Sequence, residues 1–130
     1  MVAYSFQQQF VAPIQDGRKC GTIRKIGGKR HARPGETIQL YTDLRTKYAL
    51  CFGLCDCQAI NRVALDLDFG RVEFIDTGTA ITTGPELDHF AAADGFANWR
   101  ELVAFWAKHH AGTRVFVGIQ IRWHNFRRKL

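Results

Sequence analysis

The sequence predicts an α+β fold, a small and mostly antiparallel β-barrel with two to three flanking helices. Three observations support this prediction. Segments with strand composition follow one another along the chain and are separated by turn signals, instead of alternating with helices. The helical patterns are few and short. The chain has 130 residues, of which 46% are hydrophobic, enough to bury one core, so we expect one domain over residues 1–130.

The first elements are a strand, a helix and an extended segment. Residues 2–6 have the composition of a short strand, and the apolar residues within 7–16 have helical spacing. Pro13 restricts this helix to a short one, because proline is tolerated only in a first turn. We expect Gly17 to end it in the left-handed conformation. Residues 19–24 follow as an extended segment.

The rest of the chain is predicted as consecutive strands with two helices near the end. Strand patterns occupy residues 37–41, 48–60, 63–67, 72–75 and 114–123, and loops occupy 25–33, 42–46 and 77–83. Turn signals stand at residues 34–35 and 68–70. One helix begins with Gly84 as its N-cap and runs to about residue 93. A second begins at the capping box formed by Asn98 and Glu101, and Gly112 ends it.

The charge distribution indicates an anionic partner, most often nucleic acid. The formal net charge is +6. Between residues 17 and 48 the acids are Glu36 and Asp43, whereas the bases are Arg18, Lys19, Arg24, Lys25, Lys29, Arg30, Arg33, Arg45 and Lys47. Such asymmetry predicts one basic face. The alternative is a solubilising surface, and this alternative is favoured for the basic cluster at residues 122–129.

Cysteine and histidine spacing predicts no metal site and no cofactor. Cys51 and Cys55 would lie about 13 Å apart on a strand, which is too far for one zinc ion with bonds of about 2.3 Å. Together with Cys57 they are interpreted as small buried hydrophobic residues. No apolar run approaches the length of a membrane span and no secretory segment opens the chain, so we expect a cytoplasmic protein with free thiols.

The residues able to do acid, base or nucleophilic chemistry are few: Lys19, Thr22, Tyr41, Lys47 and Asp94. A desolvated lysine could activate the hydroxyl of Thr22, but an acid would still be needed. Lys19 and Thr22 are three residues apart, so a regular strand would direct them to opposite faces. We therefore expect a turn or bulge at Gly21. Residue chemistry alone indicates a small basic domain that binds nucleic acid.

The stretch Gly17-Arg18-Lys19-Cys20-Gly21-Thr22-Ile23-Arg24 resembles the Gly-x-Lys-x-x-Thr-Ile-Arg signature of ASCH domains, members of the PUA-like superfamily. Other elements agree in order along nearly the whole chain. They are Phe6-x-x-x-Phe10 with Ile14, Pro34-Gly35-Glu36, Gln39-Leu40-Tyr41-Thr42, Arg45-Thr46, Ala93-Asp94-Gly95-Phe96, Glu101, Phe105-Trp106 and Trp123.

The resemblance implies a PUA-like β-barrel with a cleft lined by the signature, and it implies RNA or a modified nucleoside as partner. Small bacterial ASCH proteins include amidohydrolases that remove the acyl group of N4-acetylcytidine with a lysine, a threonine and a glutamate. Lys19 and Thr22 match the first two, as base and nucleophile. The glutamate position falls on Asp94, which would orient the base or protonate the leaving group. The residues expected to bind substrate or RNA are Arg18, Arg24, Lys29, Arg30, Tyr41, Arg45 and Lys47.

Two alternatives remain open at this stage. In the first, the cleft belongs to a binding module that holds RNA without chemistry, with affinity that depends on salt. In the second, the protein resembles the ASCH ribonucleases, in which a tyrosine and a lysine are implicated. Tyr41 and Lys47 are the corresponding residues here, and this cleavage would need no metal.

Overall fold

The structure, a computed structural model, describes residues 2–129. Within that range seven strands form one curled sheet, and three α-helices lie beside it. The strands are β1 (Val2–Ser5), β2 (Gly21–Lys25), β3 (Thr37–Thr42), β4 (Leu50–Asp66), β5 (Arg71–Phe74), β6 (Thr79–Ile81) and β7 (Val115–Arg128). The helices are α1 (Val11–Gln15), which continues a 3₁₀ turn at Gln8–Phe10, α2 (Gly84–Ala93) and α3 (Trp99–His109).

The sheet is an open half-barrel. Its strands follow the order β1-β3-β4-β5-β6, while β7 pairs with β4, and β2 pairs with β7. All of these pairs are antiparallel except β1 with β3. The predicted α+β class and the mostly antiparallel sheet are confirmed. The order of the described strands leaves β1 and β2 as two edges that do not pair with each other.

A single long strand, β4, forms the middle of the sheet. The sequence predicts two strands here, over 48–60 and 63–67, because polar residues separate the apolar runs. In the structure these polar residues stay within the sheet. Asn61 donates a hydrogen bond to Gln120 on β7 with a distance of 3.0 Å between Nδ2 and Oε1. The pairing of β4 with β7 continues on both sides, with register shifts at Leu54/Asp56 and Cys57/Ala59 that mark bulges.

The ends of the two long helices follow from side-chain capping. Asn98 caps α3 as predicted, because its Oδ1 accepts from the backbone N–H of Glu101 at 3.0 Å. The cap of α2 is Thr83 and not Gly84, since the Thr83 hydroxyl accepts from the backbone N–H of Glu86. The three-residue strand β6 lies in the segment predicted as a loop. A strand of three residues gives little signal in the sequence. This one forms because it pairs with β5.

Two apolar clusters form the core. One fills the half-barrel with residues such as Ile38, Leu40 and Ile121, and the other joins the sheet to α2 and α3. Cys55 and Cys57 are buried and belong to the first cluster, as predicted, and all four cysteines are free thiols. Burial raises the pKa of Cys55 to about 12, so it remains protonated. Of the helices within residues 2–129, none has both the length and the apolar character needed to cross a bilayer.

Candidate active site

A cavity of about 310 Å³ lies beside the unpaired edges of β1 and β2, next to the connection between α2 and α3. Five buried or half-buried polar side chains line it: Ser5, Lys19, Thr22, Arg24 and Asp94. Six aromatic side chains supply most of its wall: Phe6, Phe10, Phe96, Phe105, Trp106 and Phe116. The cavity therefore combines an apolar, aromatic wall with a small cluster of groups able to do proton chemistry, which is typical of ligand sites.

Lys19 is held in place by its backbone neighbours before β2 begins. Its N–H donates to the carbonyl of Pro13 at 2.9 Å, and the next N–H, of Cys20, donates to Ala93 at the end of α2 at 3.0 Å. The side chain is 4% exposed. Its Nζ lies 4.9 Å from the ring centre of Phe10 and 5.7 Å from that of Phe6. The ammonium position is thus enclosed by aromatic faces.

Asp94 meets Lys19 from the C-cap of α2, 75 residues further along the chain. Lys19 Nζ donates to the backbone carbonyl of Asp94 at 2.6 Å and to its carboxylate Oδ1 at 3.3 Å. Burial lowers the pKa of Lys19 below 10.5, and the charge of Asp94 opposes that shift. Burial also raises the pKa of Asp94 above 3.8, opposed by Lys19. Both shifts favour the neutral forms, an amine able to accept a proton and a carboxyl able to donate one.

Thr22 is oriented by Arg24 instead of by the lysine. Arg24 Nε donates to Thr22 Oγ1 at 3.0 Å, and its Nη2 donates to the carbonyl of Ser5 at 2.8 Å. The guanidinium therefore joins the unpaired edges β1 and β2. Thr22 accepts this bond, so its own O–H remains able to donate. Within the described structure Thr22 lines the same cavity as Lys19 and Asp94 but is hydrogen-bonded to neither.

The expected turn or bulge at Gly21 is wrong. β2 pairs with β7 in unbroken register from Gly21 with Arg122 to Lys25 with Gly118. Lys19 lies before the strand, where strand alternation does not apply, so no bulge is needed to bring it to the same cavity as Thr22. Gly21 has a different role, because a Cβ there would stand 2.9 Å from the carbonyl oxygen of Ile121. Its lack of a side chain permits the close approach of β2 to β7.

Gly95 leaves the space through which the Lys19 side chain passes. Its φ is +96°, and a Cβ there would stand 2.7 Å from Lys19 Cδ and 3.2 Å from Phe10 Cδ1. We expect Gly95→Ala to lower the free energy of unfolding more than Gly112→Ala does. Gly112 also has a positive φ, of +83°, but open space around it. Both variants place a side chain at a positive φ, so their backbone strain is similar. The expected difference of about 1–3 kcal/mol between their losses in free energy of unfolding therefore measures the cost of displacing Lys19. Urea unfolding measures it, and equal losses would contradict the prediction.

The other predicted binding residues lie in different places. Arg18 lines a second cavity, and Arg30 forms an ion pair with Glu36 at 2.8 Å that holds the pKa of this glutamate at about 2. The remaining residues on exposed loops are Lys29, Arg45 and Lys47. Of the seven, Arg24 is the one that lines the 310 Å³ cavity in the described structure.

Tyr41 and Lys47, the pair of the ribonuclease hypothesis, are held by different neighbours. Tyr41 is half-buried on β3. Lys47 Nζ lies 5.2 Å from the ring centre of Tyr48. Within residues 2–129 no hydrogen bond joins Tyr41 to Lys47, and this hypothesis stays a prediction.

The aromatic wall is the part of the site that sequence reasoning missed. Phe105 and Trp106 lie on α3, and Phe116 lies on β7. Apolar residues at such spacing usually belong to a core, so the sequence carries no signal that separates wall from core. Phe6 and Phe10 entered only as part of the resemblance. Their contacts with Lys19 become visible once the chain is folded.

The curled sheet with its three helices has the fold of solved ASCH structures. The structure of ASCH from Zymomonas mobilis matches with a TM-score of 0.57 at 13% identity, over 97% of this chain and 68% of that chain. Its serine-to-alanine variant matches with a TM-score of 0.55 at 14% identity, over 97% of this chain and 68% of that one. Its tyrosine-to-phenylalanine variant matches with a TM-score of 0.55 at 13% identity, over 97% of this chain and 70% of that one.

These likenesses confirm the fold that the ASCH resemblance implied. At identities of 13% and 14% they show the fold alone. No family model matches the chain, and no curated protein matches it. The chemistry of the site must therefore be argued from its own residues.

Proposed function

We propose that this chain is an amidohydrolase that cleaves the acyl amide of N4-acetylcytidine-type nucleosides. The observation that carries the proposal is the buried contact between Lys19 and Asp94 in a cavity that Thr22 also lines. Amide hydrolysis requires a nucleophile and a group that moves protons, and a hydroxyl together with a buried lysine oriented by a carboxyl can supply both. The resemblance to ASCH amidohydrolases supplies the substrate class.

In the first half of the reaction, Thr22 Oγ1 attacks the carbonyl carbon of the acyl group. Its proton passes to the neutral amine of Lys19, the form that burial favours by lowering the pKa of that lysine. Arg24 holds the threonine oxygen from another side and stabilises the charge that develops there. The result is a tetrahedral adduct on Thr22 and an ammonium on Lys19.

In the second half, the bond between the acyl carbon and N4 breaks. The leaving N4 takes the proton from the Lys19 ammonium and departs as the amino group of cytidine, while Asp94 keeps Lys19 oriented. Water then attacks the acyl-threonine ester, Lys19 again accepts a proton, and acetate leaves. Thr22 regains its hydroxyl proton, so the residues return to their starting state.

The cavity suits a flat base with a small acyl group. Its volume of about 310 Å³ lies at the lower end of the usual range for ligand sites. Phe10 packs edge-on against Phe96 and Phe105, with ring centres 5.5 Å apart in both pairs. Aromatic walls of this kind favour stacking with a pyrimidine.

We expect Thr22→Ala to lower the turnover of N4-acetylcytidine by about 10²- to 10⁴-fold, because the nucleophile is lost. Thr22→Ser keeps a hydroxyl and should retain measurable turnover. Thr77→Ala, at an exposed threonine, is the matched control and should behave like the parent protein. Release of cytidine and acetate, followed by chromatography, measures the effect. Turnover by Thr22→Ala within tenfold of the parent would sink the proposal.

A binding module is the second candidate, because several cations face solvent away from the cavity. Lys29, Arg45 and Lys47 lie on exposed loops, where they could contact the phosphates of RNA. A steep fall of RNA affinity with salt, combined with no turnover of any acylated nucleoside, would favour this candidate over the enzyme.

A further inference from the structure

A second cavity, of about 660 Å³, is lined by the immediate sequence neighbours of the catalytic residues. Arg18 and Cys20 flank Lys19, while Ala93 and Gly95 flank Asp94. Lys19 lines the first cavity, and its two neighbours line the second. Phe96 lines both cavities.

The charged groups of this second cavity favour an anion. Arg18 is fixed by Asp16, because its Nε lies 3.1 Å from Oδ1 and 2.9 Å from Oδ2. Within residues 2–129 its Nη atoms have no hydrogen-bond partner. Arg122 has no ion pair within the same range. It packs over Gly21, where a Cβ would stand 3.7 Å from Arg122 Cγ.

The one carboxylate that lines the cavity is already engaged. Glu101 Oε2 accepts a hydrogen bond from the backbone N–H of Ala97 at 3.2 Å. It lies in the first turn of α3, whose N-terminal end carries partial positive charge. Two guanidinium groups also line the cavity: Arg18, which is paired with Asp16 through Nε, and Arg122. They favour a phosphate, which matches the fork of an arginine.

Apart from His89, the remaining lining residues are apolar, namely Pro13, Ala92, Ala93, Phe96 and Ala97. A ligand that fills the cavity therefore combines an anionic group with an uncharged, partly flat body. We propose that this second cavity binds a small phosphate ester with the chemistry of a nucleoside monophosphate. Its phosphate lies between Arg18 and Arg122, and its body packs on Phe96. This site is separate from the residues that carry the proposed hydrolysis.

Calorimetric titration with cytidine 5′-monophosphate tests this site. The unmodified protein serves as the parent, because the monophosphate carries no acyl amide that the proposed active site could cleave. We expect binding of the monophosphate, and binding at least about tenfold weaker in the same protein carrying Arg122→Gln, because a charged hydrogen-bonding group is lost. Arg128→Gln is the matched control, since Arg128 is an exposed arginine on the same strand that does not line the cavity.

The comparison ligands separate the phosphate from the rest of the molecule. Arg122→Gln should leave the binding of cytidine unchanged, because cytidine lacks the phosphate, and inorganic phosphate should bind more weakly than the monophosphate, because it lacks the body. Equal affinities for the monophosphate in the Arg122→Gln and Arg128→Gln proteins would overturn the proposal. It would also be overturned if Arg122→Gln weakened cytidine as much as the monophosphate, or if inorganic phosphate bound as tightly as the monophosphate. Arg18→Gln provides a second variant should Arg122→Gln fail to fold, with the same weakening expected.

Discussion

Replacing Lys19 with methionine is expected to lower the hydrolysis of N4-acetylcytidine by about 10²- to 10⁴-fold, while the protein stays folded. The change removes the base but keeps an unbranched apolar chain beside Phe10 and Gly95. Asp94 would lose its cation, but it can take up a proton and so avoid a buried unpaired charge. Turnover under saturating substrate measures the loss, and circular dichroism checks the fold.

Lys25→Met is the matched control for this variant. Lys25 lines the same cavity, but it is exposed and makes no contact with Asp94. The same substitution there should leave turnover within a few-fold of the parent. A Lys19→Met protein with turnover near that of Lys25→Met would remove Lys19 from the mechanism and leave the binding module as the better candidate.

The two proteins should also differ in the pH dependence of stability. In the parent, Lys19 has a pKa below 10.5, so between its folded pKa and 10.5 the unfolded chain binds more protons than the folded one. The free energy of unfolding therefore rises with pH across that window. Lys19→Met lacks this part of the rise, whereas Lys25→Met keeps it. Urea unfolding at a series of pH values measures the slope.

Asp94→Asn is expected to move the activity profile to lower pH and to reduce its maximum. Asp94 holds the pKa of Lys19 up against the effect of burial. Without that charge the pKa of Lys19 falls further, and the neutral amine forms at lower pH. The rise of kcat/KM with pH should shift downward accordingly. The maximum should fall by about 10²-fold, because the asparagine cannot assist proton transfer to or from the lysine.

Asp76→Asn tests whether any loss of a carboxylate has this effect. Asp76 forms an exposed ion pair with Arg62 at 2.6 Å, far from the cavity lining. Its replacement should leave the pH profile unchanged. An Asp94→Asn profile that keeps the position of the parent's acidic limb would show that Asp94 does not set the pKa of the catalytic base.

Stability should change in the acidic range as well. Burial raises the pKa of Asp94 above 3.8, so the folded protein holds a proton there that the unfolded chain releases. The contribution of Asp94 to the free energy of unfolding is fully present below pH 3.8, and it is lost as the pH rises through the pKa of the folded state. The Asp94→Asn protein should lack this decrease in the free energy of unfolding with rising pH.

The sequence predicted the partners at the centre of the site but not their geometry. The resemblance brought Lys19, Thr22 and Asp94 together, and the structure places all three around one cavity. The hydrogen bond from Arg24 to Thr22 was not foreseen. Arg24 was expected to hold substrate, yet its second bond to Ser5 joins two strand edges. Which partner an arginine selects depends on the distance between edges that only the folded sheet defines.

Local patterns failed where pairing with distant strands decides the structure. Polar residues near Asn61 suggested a break, but Gln120 supplies a partner on β7 and the strand continues. Arg18 stands next to Lys19 in the chain, so it was assigned to the same site. In the structure it lines the second cavity, and its partner is Asp16.

The pairing of β2 has a consequence for how the protein is made. Among the described strands β2 pairs with β7 alone, so the strand that carries Thr22 and Arg24 has no hydrogen-bonded neighbour until residues 115–128 have been synthesised. Closing so long a loop is slow compared with forming a hairpin. On the ribosome, β3, β4, β5 and β6 can pair as they emerge, whereas the candidate active site assembles only after β7 has emerged.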